Sequence, residues 1–246
     1  MTTAWRKQAA DETYAAGWHL RETGSPVAGA MIQMAGAFLK LEVGDTWGCA
    51  DSFGHLSISA KHAAQRSTDP TQETMAIAMC RGFAKTAYLI AEAAGLSPDQ
   101  LAILLHKEAD ATMLQGEYQE AAELYQRVID LTAEAGVTPT DGSHGNRLCH
   151  LGHAKFKSGQ KAEGLQLINE GMRLVQDGII AGEPTNMTQL QIWLTGCMMT
   201  KARCLAEVNQ RDDAISLARE ARDIIEEKNL TVRKEQVWEL LEELEI

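Results

Sequence analysis

The chain has 246 residues, 45% of them hydrophobic, five prolines and a formal net charge of -11. That length suits one large domain, two ordinary ones or a repeat array, and the apolar content with so little proline excludes a long disordered tract. The acidic balance, with 11 acids against four bases over residues 67 to 140 and no lysine/arginine stripe anywhere, excludes a nucleic-acid backbone as partner and favours a neutral or basic one.

Helical periodicity dominates, and no alternating strand-like run of five or more residues stands between turn signals. The first predicted hairpin joins residues 4 to 23 and 26 to 44 across Gly24-Ser25-Pro26, a C-terminal glycine, an N-cap serine and a first-turn proline. The stretch GDTWGCADSFGHLSIS that follows holds three glycines, so it reads as a break before a short helix at 54 to 66. Asp69 then caps a long helix to about Ala94, with Pro70 in its first turn and Glu73 where a carboxylate suits the helix N-terminus. Three further hairpins are predicted at 97 to 136, 143 to 180 and 186 to 228. They are divided by Ser97-Pro98, the segment from Thr138 to Gly145 and Gly182-Glu183-Pro184-Thr185. A last helix, Thr231 to Leu244, sets Val237, Leu240, Leu241 and Leu244 on one side.

Within this series Ala102 to Leu131, AILLHKEADATMLQGEYQEAAELYQRVIDL, places Ala109, Gly116, Tyr118, Ala121 and Tyr125 where an antiparallel helix pair needs small contacts and aromatic knobs. It resembles a tetratricopeptide repeat. Weaker copies run from Gly145 to Gln176, with Gly152, Gly159, Gly164 and Gly171 at the small positions, and from Thr195 to Glu226, with Ala202, Ala214 and Ala221. The resemblance implies a single all-α domain over 1 to 246, a right-handed α-solenoid of about five antiparallel hairpins closed by a C-terminal capping helix. It further implies a non-catalytic scaffold that binds a peptide or protein segment in its concave groove, lined by the first helix of each pair. On that frame the groove residues are Tyr14 and Trp18; His106, Asp110 and Met113; Asn146, Cys149, His153 and Phe156; and Met199 and Arg203. The lysine and asparagine set with which one subclass grips a peptide carboxylate is matched only by Asn146 and Arg203.

Chemistry has few footholds in the sequence. Phosphate-loop, nucleophile-elbow and zinc-protease motifs are absent, and neither a cofactor nor a metal is expected. Cys149 and His153 stand four apart, but zinc needs three or four ligands. Cys49, Asp51 and His55 share one glycine-rich stretch in which imidazole could activate a thiolate, and no third group is placed to orient it. The rival reading is therefore an enzyme or small-molecule receptor in which the 45 to 70 segment, with Trp18, Trp47 and His55, closes a pocket. Five cysteines, Cys49, Cys80, Cys149, Cys197 and Cys204, are odd in number and lack CxxC spacing, as in a reducing compartment. Asp11 and Glu12 fall where a signal peptide would be apolar, and no apolar run approaches 18 residues, so a cytoplasmic protein without membrane contact is expected. The exposed face of the last helix could join two copies in a homodimer.

Overall fold

The computed structural model describes residues 3–22, 26–136, 138, 142–182 and 187–245, without the side chains of residues 3, 18, 20–22, 26 and 27. The punctuation expected at Gly24-Ser25 and at 183–185 lies outside the described residues, as do residues 139–141 of the 138–145 segment. Among the described residues there are eleven α-helices and no strand. They are α1 (Thr3–Glu22), α2 (Pro26–Glu42), α3 (Thr46–Arg66), α4 (Pro70–Ala93), α5 (Pro98–Leu114), α6 (Tyr118–Glu134), α7 (Gly142–Lys157), α8 (Lys161–Ala181), α9 (Met187–Ala206), α10 (Arg211–Glu227) and α11 (Thr231–Glu245). No helix of the described residues is long and apolar enough to cross a membrane.

Contacts divide the chain into two compact units, Met1–Ala135 and Gly136–Ile246. In the first, α1 pairs with α2, α3 with α4 and α5 with α6, and the first helices α3 and α5 also touch. In the second, α7 pairs with α8 and α9 with α10; α7 touches α9, and α11 packs on both α9 and α10. Within each unit consecutive helices therefore lie side by side, as helical-repeat folds require.

Local chemistry accounts for the helix starts. Asp69 accepts from the Thr71 and Gln72 amides at 2.8 and 3.4 Å, and Pro70 follows it. The Ser97 amide donates to Gln100 Oε1 at 3.3 Å, and Gly182 closes α8 in the left-handed region at φ 65°.

One boundary differs from the expectation. The glycine-rich stretch after residue 44 is not a break: it forms the first half of the 21-residue helix α3. Gly44, at φ 80°, makes the turn, and Asp45 then caps the helix by accepting from the Gly48 amide at 2.9 Å. Gly48 and Gly54 are contact glycines. A Cβ at Gly48 would meet the Asp45 carboxyl carbon at 2.7 Å, and one at Gly54 would meet Lys107 Nζ at 2.6 Å. Gly48 leaves room for the Asp45 cap and Gly54 for the Lys107 side chain, against a helix-propensity penalty of about 1 kcal/mol each.

The interior is alanine-rich, with a few large side chains at its centre. Leu56 and Leu104 are fully buried in the first unit, and Ile168, Ile225 and Leu240 in the second; each contributes roughly 1.5–3 kcal/mol. Val237, Leu240, Leu241 and Leu244 of α11 are buried together against α9 and α10, as the sequence pattern predicts.

Candidate functional site

Two neighbouring first helices, α3 and α5, carry half-buried charged side chains that pair with one another across the helices. Four residues separate Asp51 from His55, and four separate His106 from Asp110, which keeps each pair on one helix face. His55 Nε2 lies 3.4 Å from Asp51 Oδ2, and Lys107 reaches across from α5 to Asp51 Oδ1 at 3.3 Å. Burial alone would raise the Asp51 carboxyl, but the hydrogen bond from His55 and the charge of Lys107 outweigh it and hold the group down at about 2. One turn further on, Lys61 donates to Asp110 Oδ2 at 2.8 Å, and Tyr125 of α6 donates its hydroxyl to Asp110 Oδ1 at 2.6 Å. The His106 ring meets the Tyr125 ring edge-on at 5.4 Å. Tyr125 is almost fully buried, and burial with the adjacent carboxylate pushes its hydroxyl well above the ordinary value.

Lys61, Lys107, Asp51 and Asp110 thus form interhelical ion pairs whose partners hold each other in place at the edge of solvent. Such a row can offer directed hydrogen bonds to a polypeptide without first ordering its own side chains. Asp51, His55, Lys61 and Lys107 are not among the groove residues expected from the sequence. Reading residues 44–54 as a connection hides the four-residue spacing of Asp51 and His55.

Of the expected groove residues in this unit, His106 and Asp110 belong to this row, and Met113 is half-buried one turn further along α5. Tyr14 is half-buried on α1 beneath Lys40, whose Nζ stands 4.5 Å from the ring centre. The side chain of Trp18 lies outside the described residues.

In the second unit the expected residues fall on two sides of their helices. Asn146 and His153 are half-buried, and the same stripe of α7 continues through His150 to Lys157, which pairs with Glu207 at 2.7 Å. Cys149, Phe156 and Met199 are buried at 1–3% exposure. Cys149 lies under Gly171 and donates to the Ile168 carbonyl at 3.6 Å, and Lys161 stands 5.4 Å from the Phe156 ring centre. Cys149 and Phe156 fill the interior because the small residues Gly171 and Gly164 opposite them draw α8 onto that side of α7, and Met199 of α9 is buried in the cluster that includes Ala218 and Leu240. Arg203, 42% exposed, lies 3.7 Å from Glu243 of α11.

The thiol chemistry considered from the sequence meets an adverse setting. Cys49 is fully buried, and burial followed by the nearby Asp45 raises its thiol, with Lys40 opposing. Burial likewise pushes Cys204 up to about 12, and burial beside Cys197 raises Cys149 well above the usual thiol range.

No family model matches the chain and no curated protein sequence does. Among solved structures, a kinesin-light-chain-like protein of Podosopora anserina with nearly identical TPR-like repeats is 15% identical, at a TM-score of 0.58, over 90% of this chain and 97% of its own. A single-substitution form of that protein superimposes at a TM-score of 0.61 over 91% of this chain and 97% of its own, again at 15% identity. Aspartyl phosphate phosphatase F of Bacillus subtilis is 13% identical, at a TM-score of 0.54, over 98% of this chain and 60% of its own. Sequence pattern, paired helices and these likenesses agree that the chain has the all-α, tetratricopeptide-like helical-repeat fold.

Proposed function

We propose that the chain is a non-catalytic scaffold that binds a polypeptide segment along its first helices, with the α3–α5 row of the first unit as the principal contact. The observation that carries this is the set of interhelical pairs Lys107–Asp51 and Lys61–Asp110 at 3.3 and 2.8 Å, held at the edge of solvent with Tyr125 bracing Asp110. Hydrogen-bonding groups already fixed by their neighbours cost little further ordering when a partner arrives. The formal charge of -11 favours a segment with basic residues, whose approach it would steer. In the second unit, Asn146, His153 and Arg203 are the expected groove residues that are not buried. The buried thiols give no support to a cysteine enzyme.

Selection of a random peptide library displayed on phage tests the proposal, with the Lys107→Ala/Asp110→Ala variant as counter-target. Peptides enriched on the parent and lost on the variant support the α3–α5 row, and basic residues among them support the steering argument. Failure to enrich any peptide, or equal retention by the folded variant, overturns it.

A further inference from the structure

The second helices of the hairpins differ sharply in what they turn toward water. Helix α4 exposes Met75, Met79 and Leu89 at 60%, 48% and 49%, and α2 exposes Met31, Phe38 and Leu41. Among the described residues α6 and α10 expose no large apolar side chain. Phe53 of α3 touches both Phe38 and Phe83, at 5.7 and 6.2 Å between ring centres, so the two apolar helices adjoin the same part of α3. Large apolar side chains grouped on the outside of one helix, as on α4, mark an interaction surface.

The face of α4 has a regular order. Gln72, Met75, Met79, Gly82, Thr86 and Leu89 follow one another at alternating steps of three and four, the period of a helix-pairing seam. The opposite side of the same helix, Cys80, Ala84, Ala87 and Ala91, is buried in the hairpin core. Gly82 is the informative member. At Gly17, Gly36, Gly54 and Gly152 an added Cβ would strike a neighbour within 3 Å, whereas at Gly82 it would meet nothing within 4 Å. A glycine in mid-helix costs about 1 kcal/mol relative to alanine, and no contact inside the chain requires this one.

We infer that this face binds a second copy of the chain, the two α4 helices running antiparallel with Met79 of each seated over Gly82 of the other. The seam is complementary to itself in this register and places a large residue on a smaller or flexible one at every level. Met75 meets Thr86 of the second copy, and Leu89 meets its Gln72. Two-fold symmetry requires such a self-matching patch, and a partner of different sequence would not. Lys85 falls opposite Ala76 of the second copy. The like charges that face one another, Glu92 and Asp69 of the second copy, lie at the ends of the contact in water, where salt screens them. The seam from Gln72 to Leu89 is about 27 Å long, five turns of helix. Helix α11, considered from the sequence as the joining surface, is less suited: its exposed positions include Glu235, Glu239, Glu242 and Glu243. The inference does not rest on the peptide-binding proposal.

Sedimentation equilibrium of the full chain should give twice the chain mass of 26.9 kDa. Gly82→Gln fills the hole while improving helix propensity, so it should leave the circular dichroism melt intact or raised and weaken the dimer by ~10-fold or more, the scale of a hot-spot loss. Trp238→Ala on α11 should leave the mass unchanged. Mixing Met79→Cys and Gly82→Cys chains under oxidised glutathione should yield a disulfide-linked heterodimer, with far less linkage in Met79→Cys alone. A monomer at the highest soluble concentration overturns the inference. So does a dimer indifferent to Gly82→Gln, and so does a mixture that fails to cross-link.

Discussion

Gly152 of α7 and Gly164 of α8 lie each against the backbone oxygen of the other: a Cβ added to Gly152 would stand 2.6 Å from the Gly164 oxygen, and one added to Gly164 would stand 2.5 Å from the Gly152 oxygen. A side chain at either place forces the two helices apart, and with them Ile168 and Phe156, which are buried beside the contact. Gly152→Ala should therefore destabilise the chain by about 1–2 kcal/mol net, an overpacking cost of up to about 3 kcal/mol offset by a gain of about 1 kcal/mol in helix propensity. Urea unfolding of the two variants, Gly152→Ala and Gly164→Ala, measures this, and a stability equal to or above the parent's would show that α7 and α8 can separate at little cost.

That pair shows what the sequence makes legible and what it does not. Gly152, Gly164 and Gly171 mark the hairpin correctly, because close helix approach selects small residues wherever it occurs. Spacing alone gives Gly159 the same job, yet it sits in the turn at φ 100°, and Gly145 takes the fourth contact, against the Leu174 Cβ at 2.9 Å. A glycine's letter does not say whether its freedom or its size is being used, and Gly48 and Gly54 of α3 mislead for the same reason. The same ambiguity shifts the expected groove on α7, where Cys149 and Phe156 share a helix with Asn146 and His153 but point inward. On α5, where large apolar residues fix the buried side, spacing alone keeps His106 and Asp110 off it.

The amide of Gln33 should be a net cost to the fold. Its side chain on α2 is fully buried, and neither its nitrogen nor its oxygen has a hydrogen-bond partner. An amide taken out of water without a partner costs roughly 1–3 kcal/mol. Met has a similar unbranched shape and no polar atom to satisfy, so Gln33→Met should stabilise the chain by about 1–2 kcal/mol, read as a rise in the urea midpoint at unchanged slope. A fall in the midpoint would mean that the amide does have a partner in solution.

Glu108 of α5 is similarly placed, at 7% exposure. Burial raises its carboxyl, with Lys85 and Arg81 opposing and Glu120 and Glu92 adding to the rise. For a carboxyl raised on folding, the penalty is present where the group is ionised and is relieved as pH falls through its folded value. Glu108→Gln should therefore raise the melting temperature at neutral pH by about 2–4 °C, equivalent to about 1 kcal/mol in a chain of this size. The advantage over the parent should shrink as the solution is acidified. A constant difference across pH would show that the gain comes from something other than the charge.

Asp51 should show the opposite dependence. Held down at about 2 by His55 and Lys107, it ionises more readily in the folded chain than in the unfolded one, where an aspartate titrates at about 3.9. Its contribution is then complete above about pH 4 and is lost as pH falls through about 2. The carboxylate is one-third exposed, so solvent screening reduces the contribution to about 1 kcal/mol. Asp51→Asn should cost that much at neutral pH, and the gap between variant and parent should begin to close below about pH 4. Adding Lys107→Met to Asp51→Asn should cost less than Lys107→Met alone, because the two side chains form one pair across α3 and α5. Urea midpoints of the four proteins across pH decide this: strictly additive effects, or a gap that widens in acid, would remove the Asp51–Lys107 pair from the account of how the α3–α5 row is held in place.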